Sequence, residues 1–353
     1  MQPPMHKIIF LYTELAGYFL SCVNELTKQK NVEVHIVRWP VNKEAPFNFS
    51  FNSAVKVYNR NDFSERSLLD LVSAINPNVI YCSGWIDKGY LHVCKQFKKQ
   101  IPVIVGFDNQ WKGTLKQHLA SLLSFTKIHP YFNHCWVPGK PQYEYALRLG
   151  FKPNTILTGF YSADYNLFHS FYEKYTALKT EAFPKRFIYV GRYYDFKGIE
   201  EMWQAFVNMD KRLNTNWELW CLGTGSITPI NHPKIKHFGF IQPDKLEEFV
   251  SQTGVFILPS RFEPWGVVVH EFAAAGFPLL CSSAVGANAA FLEEGVNGYV
   301  FEVKNSSSIE ATMEKIIQKS DKELINMSKV SANKASTITC ENWVESLMSL
   351  LKK

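Results

Sequence analysis

The sequence predicts an α/β protein of two domains, each a mostly parallel sheet covered by helices. Three observations predict it. The chain has 353 residues, more than one hydrophobic core usually organises. Short β-rich runs alternate with helix-like segments, the pattern of a parallel sheet covered on both faces. The alternation pauses once, at 159–184, where Tyr, Asp, Asn and Lys replace the apolar rhythm, and then restarts. A composition that is 46% hydrophobic and 20% charged, with 15% aromatic residues, supports large cores and excludes extended disorder.

In the first half, residues 7–12, 32–39, 78–82, 102–105 and 135–137 read as strands, and 18–30, 64–75, 85–99, 114–124 and 142–149 as helices. The second half restarts with a strand at 187–190, then a helix at 198–209 and a strand at 217–222. A helix at 243–251, a strand at 255–258, a helix at 267–275 and a strand at 278–281 follow. The tail is helical, with Trp343, Leu347, Leu350 and Leu351 as its apolar stripe. A cleft between two such domains is the expected site.

Seven cysteines, with no CxxC pair among them, point to buried thiols rather than a disulfide framework or a zinc site. The N-terminus lacks a signal-peptide apolar stretch, and no apolar run reaches the roughly 18 residues of a spanning helix, so a cytoplasmic protein is expected. Of the net charge of +6, residues 1–165 hold +7, with 18 Lys and Arg against 11 Asp and Glu. A basic first half fits an anionic acceptor or an acidic membrane surface, and equally ordinary solvated charge.

The segment with most chemical content runs from Leu258 to Pro278, LPSRFEPWGVVVHEFAAAGFP. A buried strand ends at Leu258, a loop carries Glu263 and Pro264, and a helix starts near Trp265 and stops at Gly276. Free amides at that helix start, beside a strand's C-terminal edge, favour phosphate. Glu271 follows Glu263 by eight residues, about 12 Å along a continuous helix. That is too far for two carboxylates sharing one bond, but it suits one carboxylate on a sugar and one on a ribose. Two unrelated surface glutamates would give the same spacing.

Residues 187–199, FIYVGRYYDFKGI, place Arg192 and Lys197 on a strand-to-helix loop bracketed by Gly191 and Gly198. Two cations there would neutralise a diphosphate leaving group; solvated loop cations are the other reading. Gly223 and Gly225 follow another strand and would allow a close ligand approach, but Thr228 stands where a dinucleotide fingerprint has its third glycine. In the first half, Gly17 follows the opening strand and Asp108 follows the strand at 102–105, at an edge where a carboxylate would meet an acceptor hydroxyl; each is also compatible with a plain turn. The sequence contains no Asp-x-Asp and no HExxH, so no metal and no other cofactor is expected.

Taken in order, Gly191-Arg192, Lys197-Gly198, Gly223-x-Gly225, Phe238-Gly239-Phe240, Leu258 to Glu271, Gly276-x-Pro278 and Gly295-Val-Asn-Gly298 resemble the retaining GT-B glycosyltransferases of family 4, over about residues 186–303. The resemblance implies two Rossmann-like domains facing across a cleft: 1–165 for the acceptor and 166–337 for the donor. A C-terminal helix, 338–353, would cross back to the first. It implies a metal-independent transfer, with retention, from a nucleotide sugar to a glycan or lipid-linked acceptor, as in cell-surface polysaccharide synthesis. Arg192 and Lys197 would bind the diphosphate and Glu263 the sugar. The amides of Trp265, Gly266 and Val267 would face sugar and phosphate, Glu271 would bind the ribose, and Phe240 and Ile241 would lie near the base. The acceptor-side motifs depart from the family pattern: the usual paired glycines become Ala16-Gly17, and the His-containing motif becomes Phe107-Asp108.

Two other readings keep the same architecture: a nucleotide-sugar epimerase or hydrolase, and a silent nucleotide-sugar-binding subunit. No nucleic-acid partner is expected. For a peripheral membrane contact, Trp85, Ile86, Tyr90 and Leu91 beside Lys88, Lys95, Lys98 and Lys99 would form a basic amphipathic face; a core-packed helix with a solvated back is the alternative.

Overall fold

The computed structural model describes residues 5–40, 51–242 and 245–351. Pro243, which begins the predicted helix at 243–251, and residues 352–353, which end the predicted C-terminal helix at 338–353, lie outside them. The chain divides into two compact units, residues 1–162 with 338–353, and residues 163–337.

The first unit runs β1 (His6–Tyr12), α1 (Gly17–Leu26), β2 (Val32–Arg38), β3 (Val55–Asn59), α2 (Glu65–Ile75), β4 (Val79–Ser83), α3 (Lys88–Phe97), β5 (Val103–Gly106), α4 (Leu115–Lys127), β6 (His134–Trp136), α5 (Lys140–Arg148) and β7 (Ile156–Leu157). Among the described residues its seven strands are all parallel, in the order β3-β2-β1-β4-β5-β6-β7. Alternation along β1 divides the core in two, as the two-residue period of a strand requires. Ile8, Phe10 and Tyr12 enter one cluster, Ile9 and Leu11 the other. The first cluster includes Trp343, whose ring lies 4.7 Å from that of Trp136 and 5.9 Å from that of Phe10. The C-terminal segment is thereby part of the first unit's core.

The second unit runs α6 (Tyr165–Glu181), β8 (Arg186–Val190), α7 (Ile199–Leu213), β9 (Glu218–Leu222), β10 (Ile235–His237), α8 (Leu246–Gln252), β11 (Val255–Leu258), α9 (Val267–Ala274), β12 (Leu279–Ser282), α10 (Asn288–Phe291), β13 (Gly298–Phe301), α11 (Ser306–Ile317) and α12 (Asp321–Ala335). Among the described residues its six strands are parallel and take the order β10-β9-β8-β11-β12-β13. In the first unit α13 (Cys340–Met348) ends the chain's regular helices. Both units are therefore parallel, Rossmann-like α/β folds.

Three expectations need correction. The pause at 159–184 contains the 17-residue helix α6, capped by Asp164, whose side chain accepts from the Leu167 amide. Its buried side is only Phe168, Phe171 and Lys179, too sparse for a clear apolar stripe. The predicted membrane face on α3 is only partly open: Tyr90 is 1% exposed and its hydroxyl donates to the carbonyls of Tyr12 and Val37, Trp85 and Leu91 are half-buried, and of the four apolar residues Ile86 alone is exposed, just before the helix. Third, Glu263 stands outside the helix at 267–274, so the continuous-helix spacing to Glu271 does not apply.

Candidate active site

In an open parallel sheet, ligands bind beyond the carboxyl ends of the strands where the order reverses direction. In the second unit that point lies between β8 and β11. The loop after β8 carries Arg192 and Lys197, and the loop after β11 carries Glu263.

These loops are tied to each other. The Arg261 amide donates to the Phe196 carbonyl at 2.8 Å, and its guanidinium pairs with Glu201 at 2.6 Å and with Asp195. Gly198, at φ 64°, packs so closely on the second loop that a Cβ would lie 2.2 Å from the Pro259 carbonyl oxygen. Replacing Gly198 with Ala adds left-handed backbone strain to that collision. It is expected to destabilise the chain by about 2–3 kcal/mol in urea unfolding.

Within this frame Lys197 Nζ donates to Glu263 Oε2 at 2.5 Å, and Ser260 Oγ donates to the same oxygen at 3.0 Å. Both members of the pair are 14% exposed, so the charges are only partly hydrated. Arg192 is exposed. Its Cζ lies 5.9 Å from the Phe196 ring centroid and Lys197 Nζ 5.6 Å from the same centroid. The two cations thus flank one aromatic ring. The Glu263 carbonyl accepts from the Gly286 amide and the Trp265 carbonyl from the Ala287 amide, which fixes the loop against residues 285–287.

Gly266, at φ 94°, caps α9, and a Cβ there would meet Glu263 Cγ at 2.9 Å. Among the described residues, the amides of Trp265, Gly266 and Val267 donate to no acceptor, as at the open start of a helix. The Trp265 ring is 1% exposed, so only its backbone is available. Gly223 and Gly225 are needed by the chain itself: a Cβ would lie 1.8 Å from the Gly191 carbonyl and 2.3 Å from the Tyr193 carbonyl, respectively. Phe240 is 39% exposed and Ile241 half-buried in the loop after β10.

Glu271 is half-buried on α9. Burial, reinforced by the nearby Asp164 charge, lifts its carboxyl to a pKa of about 7. Its neighbour His270 is fully buried, and its imidazole Nδ1 accepts from the Ala163 amide at 3.0 Å while Nε2–H donates to the Ala335 carbonyl at 3.0 Å. Those two backbone partners fix the neutral tautomer, and burial pushes the pKa down to about 4. Sequence reasoning missed His270, Ser260 and the Arg261 clamp.

Gly17 and Asp108 belong to the first unit, whose strand order reverses between β1 and β4. Gly17 opens α1 in a position where a Cβ would touch nothing within 4 Å, so the fold itself makes no demand for glycine there. Asp108, just after β5, accepts from the Tyr161 hydroxyl at 3.4 Å, and its carbonyl accepts from Gln142 at 3.1 Å. At the same strand ends, the hydroxyls of Thr13 and Ser83 lie 2.9 Å apart; a search for polar residues after strands would have found both.

Residues 177–334 match the family described as glycosyl transferases group 1. An uncharacterized glycosyltransferase of Methanocaldococcus jannaschii is 30% identical over 143 residues, which span 38% of this chain and 36% of that protein. Solved structures match over nearly the full length: Anabaena HepE in complex with UDP and glucose (TM-score 0.69, 14% identity, 98% of this chain and 99% of that one) and the sucrose-phosphate synthase of Thermosynechococcus elongatus (TM-score 0.70, 15% identity, 98% of each). Residues 177–334 therefore carry the match to glycosyl transferases group 1, on a chain whose two Rossmann-like units have the GT-B fold of these neighbours.

Proposed function

We propose that this protein is a retaining, metal-independent glycosyltransferase that moves a sugar from a nucleotide diphosphate donor to a glycan or lipid-linked acceptor. The cluster of Arg192, Lys197 and Glu263 at the second unit's switch point carries this reading. Without donor, Lys197 and Glu263 neutralise each other. With donor, Lys197 and Arg192 take the diphosphate and Glu263 is left to accept hydrogen bonds from the sugar. As the bond from the anomeric carbon to the diphosphate breaks, negative charge gathers on the departing phosphate, and two fixed cations stabilise it. The acceptor oxygen bonds to the same face of the anomeric carbon, and its proton passes to the departing phosphate. Open amides at Trp265, Gly266 and Val267 add dipoles of the required sign, Glu271 holds the ribose, and Phe240 and Ile241 flank the base. Gly17 gives the donor room at the acceptor unit and Asp108 meets the acceptor hydroxyl.

A UDP-sugar is the first donor to test, because HepE is a protein crystallised in complex with UDP and glucose. The reading places the enzyme in the cytoplasm, against a membrane that carries its acceptor for surface polysaccharide synthesis. Among the described residues no helix is long and apolar enough to cross a membrane.

Thermal shift with UDP-, GDP- and ADP-sugars in EDTA tests the donor site. One nucleotide class is expected to raise the melting temperature of the native chain and not of Glu271→Ala. No shift with any donor would sink the donor assignment, and release of nucleotide at full rate without acceptor would favour the epimerase or hydrolase reading.

A further inference from the structure

Helix α4 has its apolar side outward. Leu115, Leu119, Leu122, Leu123 and Phe125 are 88%, 57%, 78%, 43% and 69% exposed, while the one buried residue is Ser124, whose hydroxyl donates to the Ser121 carbonyl. At about 100° per residue the four leucines share an arc of roughly 100°, with Ser124 on the opposite side. A helix packed only for a soluble fold shows the reverse arrangement, and a continuous apolar strip of this kind marks a contact surface.

Charge identifies the partner. Residues 109–143 contain no Asp or Glu and carry Lys112, Lys116, Lys127 and Lys140. By helical angle Lys116 and Lys127 border the leucine arc, and both are exposed. An apolar strip edged by lysines is the arrangement of a helix lying in a lipid interface, with apolar side chains at the acyl boundary and ammonium groups at the phosphates. A second copy of the same face would oppose lysine with lysine. Asp108 precedes α4 by seven residues, and the Gln117 side chain of α4 donates to the Gln110 carbonyl at 2.6 Å, so the start of this helix adjoins the loop after β5 that carries Asp108.

We propose that α4 seats the first unit on an anionic phospholipid surface, with Leu115, Leu119, Leu122 and Phe125 inserted and Lys116 and Lys127 at the headgroups. This rests on the membrane-side acceptor read above and names the surface responsible, in place of α3. The test is sedimentation of the full chain with vesicles of phosphatidylglycerol and phosphatidylcholine, and with phosphatidylcholine alone, at low and high salt. The native chain is expected to bind the anionic vesicles in a salt-sensitive way. Leu119→Gln/Leu122→Gln is expected to bind at least about tenfold more weakly, with an unchanged melting temperature because both side chains are exposed. Lys116→Gln/Lys127→Gln is expected to lose several-fold and to flatten the salt dependence. If the native chain ignores anionic vesicles, the membrane reading and the α4 surface both fall. If it binds and Leu119→Gln/Leu122→Gln binds equally well, α4 is wrong and the membrane reading stands. A native dimer that the leucine pair dissolves, with no vesicle binding, would make this face a self-association surface and overturn the proposal. Sugar transfer, read on a soluble acceptor, is independent of all three.

Discussion

Lys197→Met is expected to lower kcat/KM for glycosyl transfer by about 10²–10³, the usual effect of removing one fixed charge or donor from a developing anion. Stability falls as well, because Glu263 stays partly buried, with Ser260 at 3.0 Å, after losing the Lys197 ammonium. Orphaning one partner of a fully buried pair costs about 3–5 kcal/mol; with both members 14% exposed, water screens part of that, and about 1–3 kcal/mol is expected. A second change separates the two effects. Lys197→Met/Glu263→Gln removes the partly buried negative charge as well, so urea unfolding should recover part of the lost stability. Activity should not recover, since neither the leaving-group cation nor the sugar-facing carboxylate is present. A single variant that keeps activity within about threefold of native would remove Lys197 from the reaction, because a leaving-group cation contributes far more than that.

The sequence showed most clearly what depends on local pattern. The β1 alternation, the loop after β8 and the run from Leu258 to Glu271 are short-range signals, and the folded sheets place them where strand–helix order implies. What escaped depends on distance or on weak amphipathicity. The strand β7 has two residues, too few to show a period. Pro264 and Gly266 marked a turn between the two glutamates, and the positive φ at Gly266 makes it one, so the 12 Å spacing of a continuous helix does not describe them. Gly223 and Gly225 looked like room for a ligand, yet each is held against another backbone segment more than 30 residues away. His270 had no local signature at all, since its partners lie 107 and 65 residues distant.

His270 and Glu271, adjacent on α9, are expected to push stability in opposite directions over nearly the same pH range. His270 has its folded pKa depressed from 6.5 to about 4. Its contribution is fully present above pH 6.5 and is lost as pH falls toward 4, because the unfolded chain binds the proton first. Glu271 has its folded pKa raised from 4.5 to about 7. Its contribution is fully present below pH 4.5 and is lost as pH rises through 7. At about 1.4 kcal/mol per unit each effect has a ceiling of about 3 kcal/mol, and the half-buried Glu271 is expected to deliver about 1–2 after screening. Neither group is a source of the other's shift, so the two slopes oppose each other in the native chain. Glu271→Gln should therefore be more stable than native at pH 8 and should fall more steeply on acidification. His270→Gln, which retains an acceptor for Ala163 and a donor for Ala335, should lose stability at pH 8 and slope the other way. Urea unfolding of the three proteins between pH 4 and 8 checks this, and parallel profiles would remove both groups from the pH response. Donor binding links the same carboxylate to function. Ribose hydroxyls donate to the ionised form and lower its pKa, so donor should bind more tightly as pH rises from 6 to 8 and release protons near pH 7. Calorimetry in buffers of different ionisation enthalpy measures that release; its absence would mean that Glu271 does not hold the ribose, whatever Glu271→Gln does to stability.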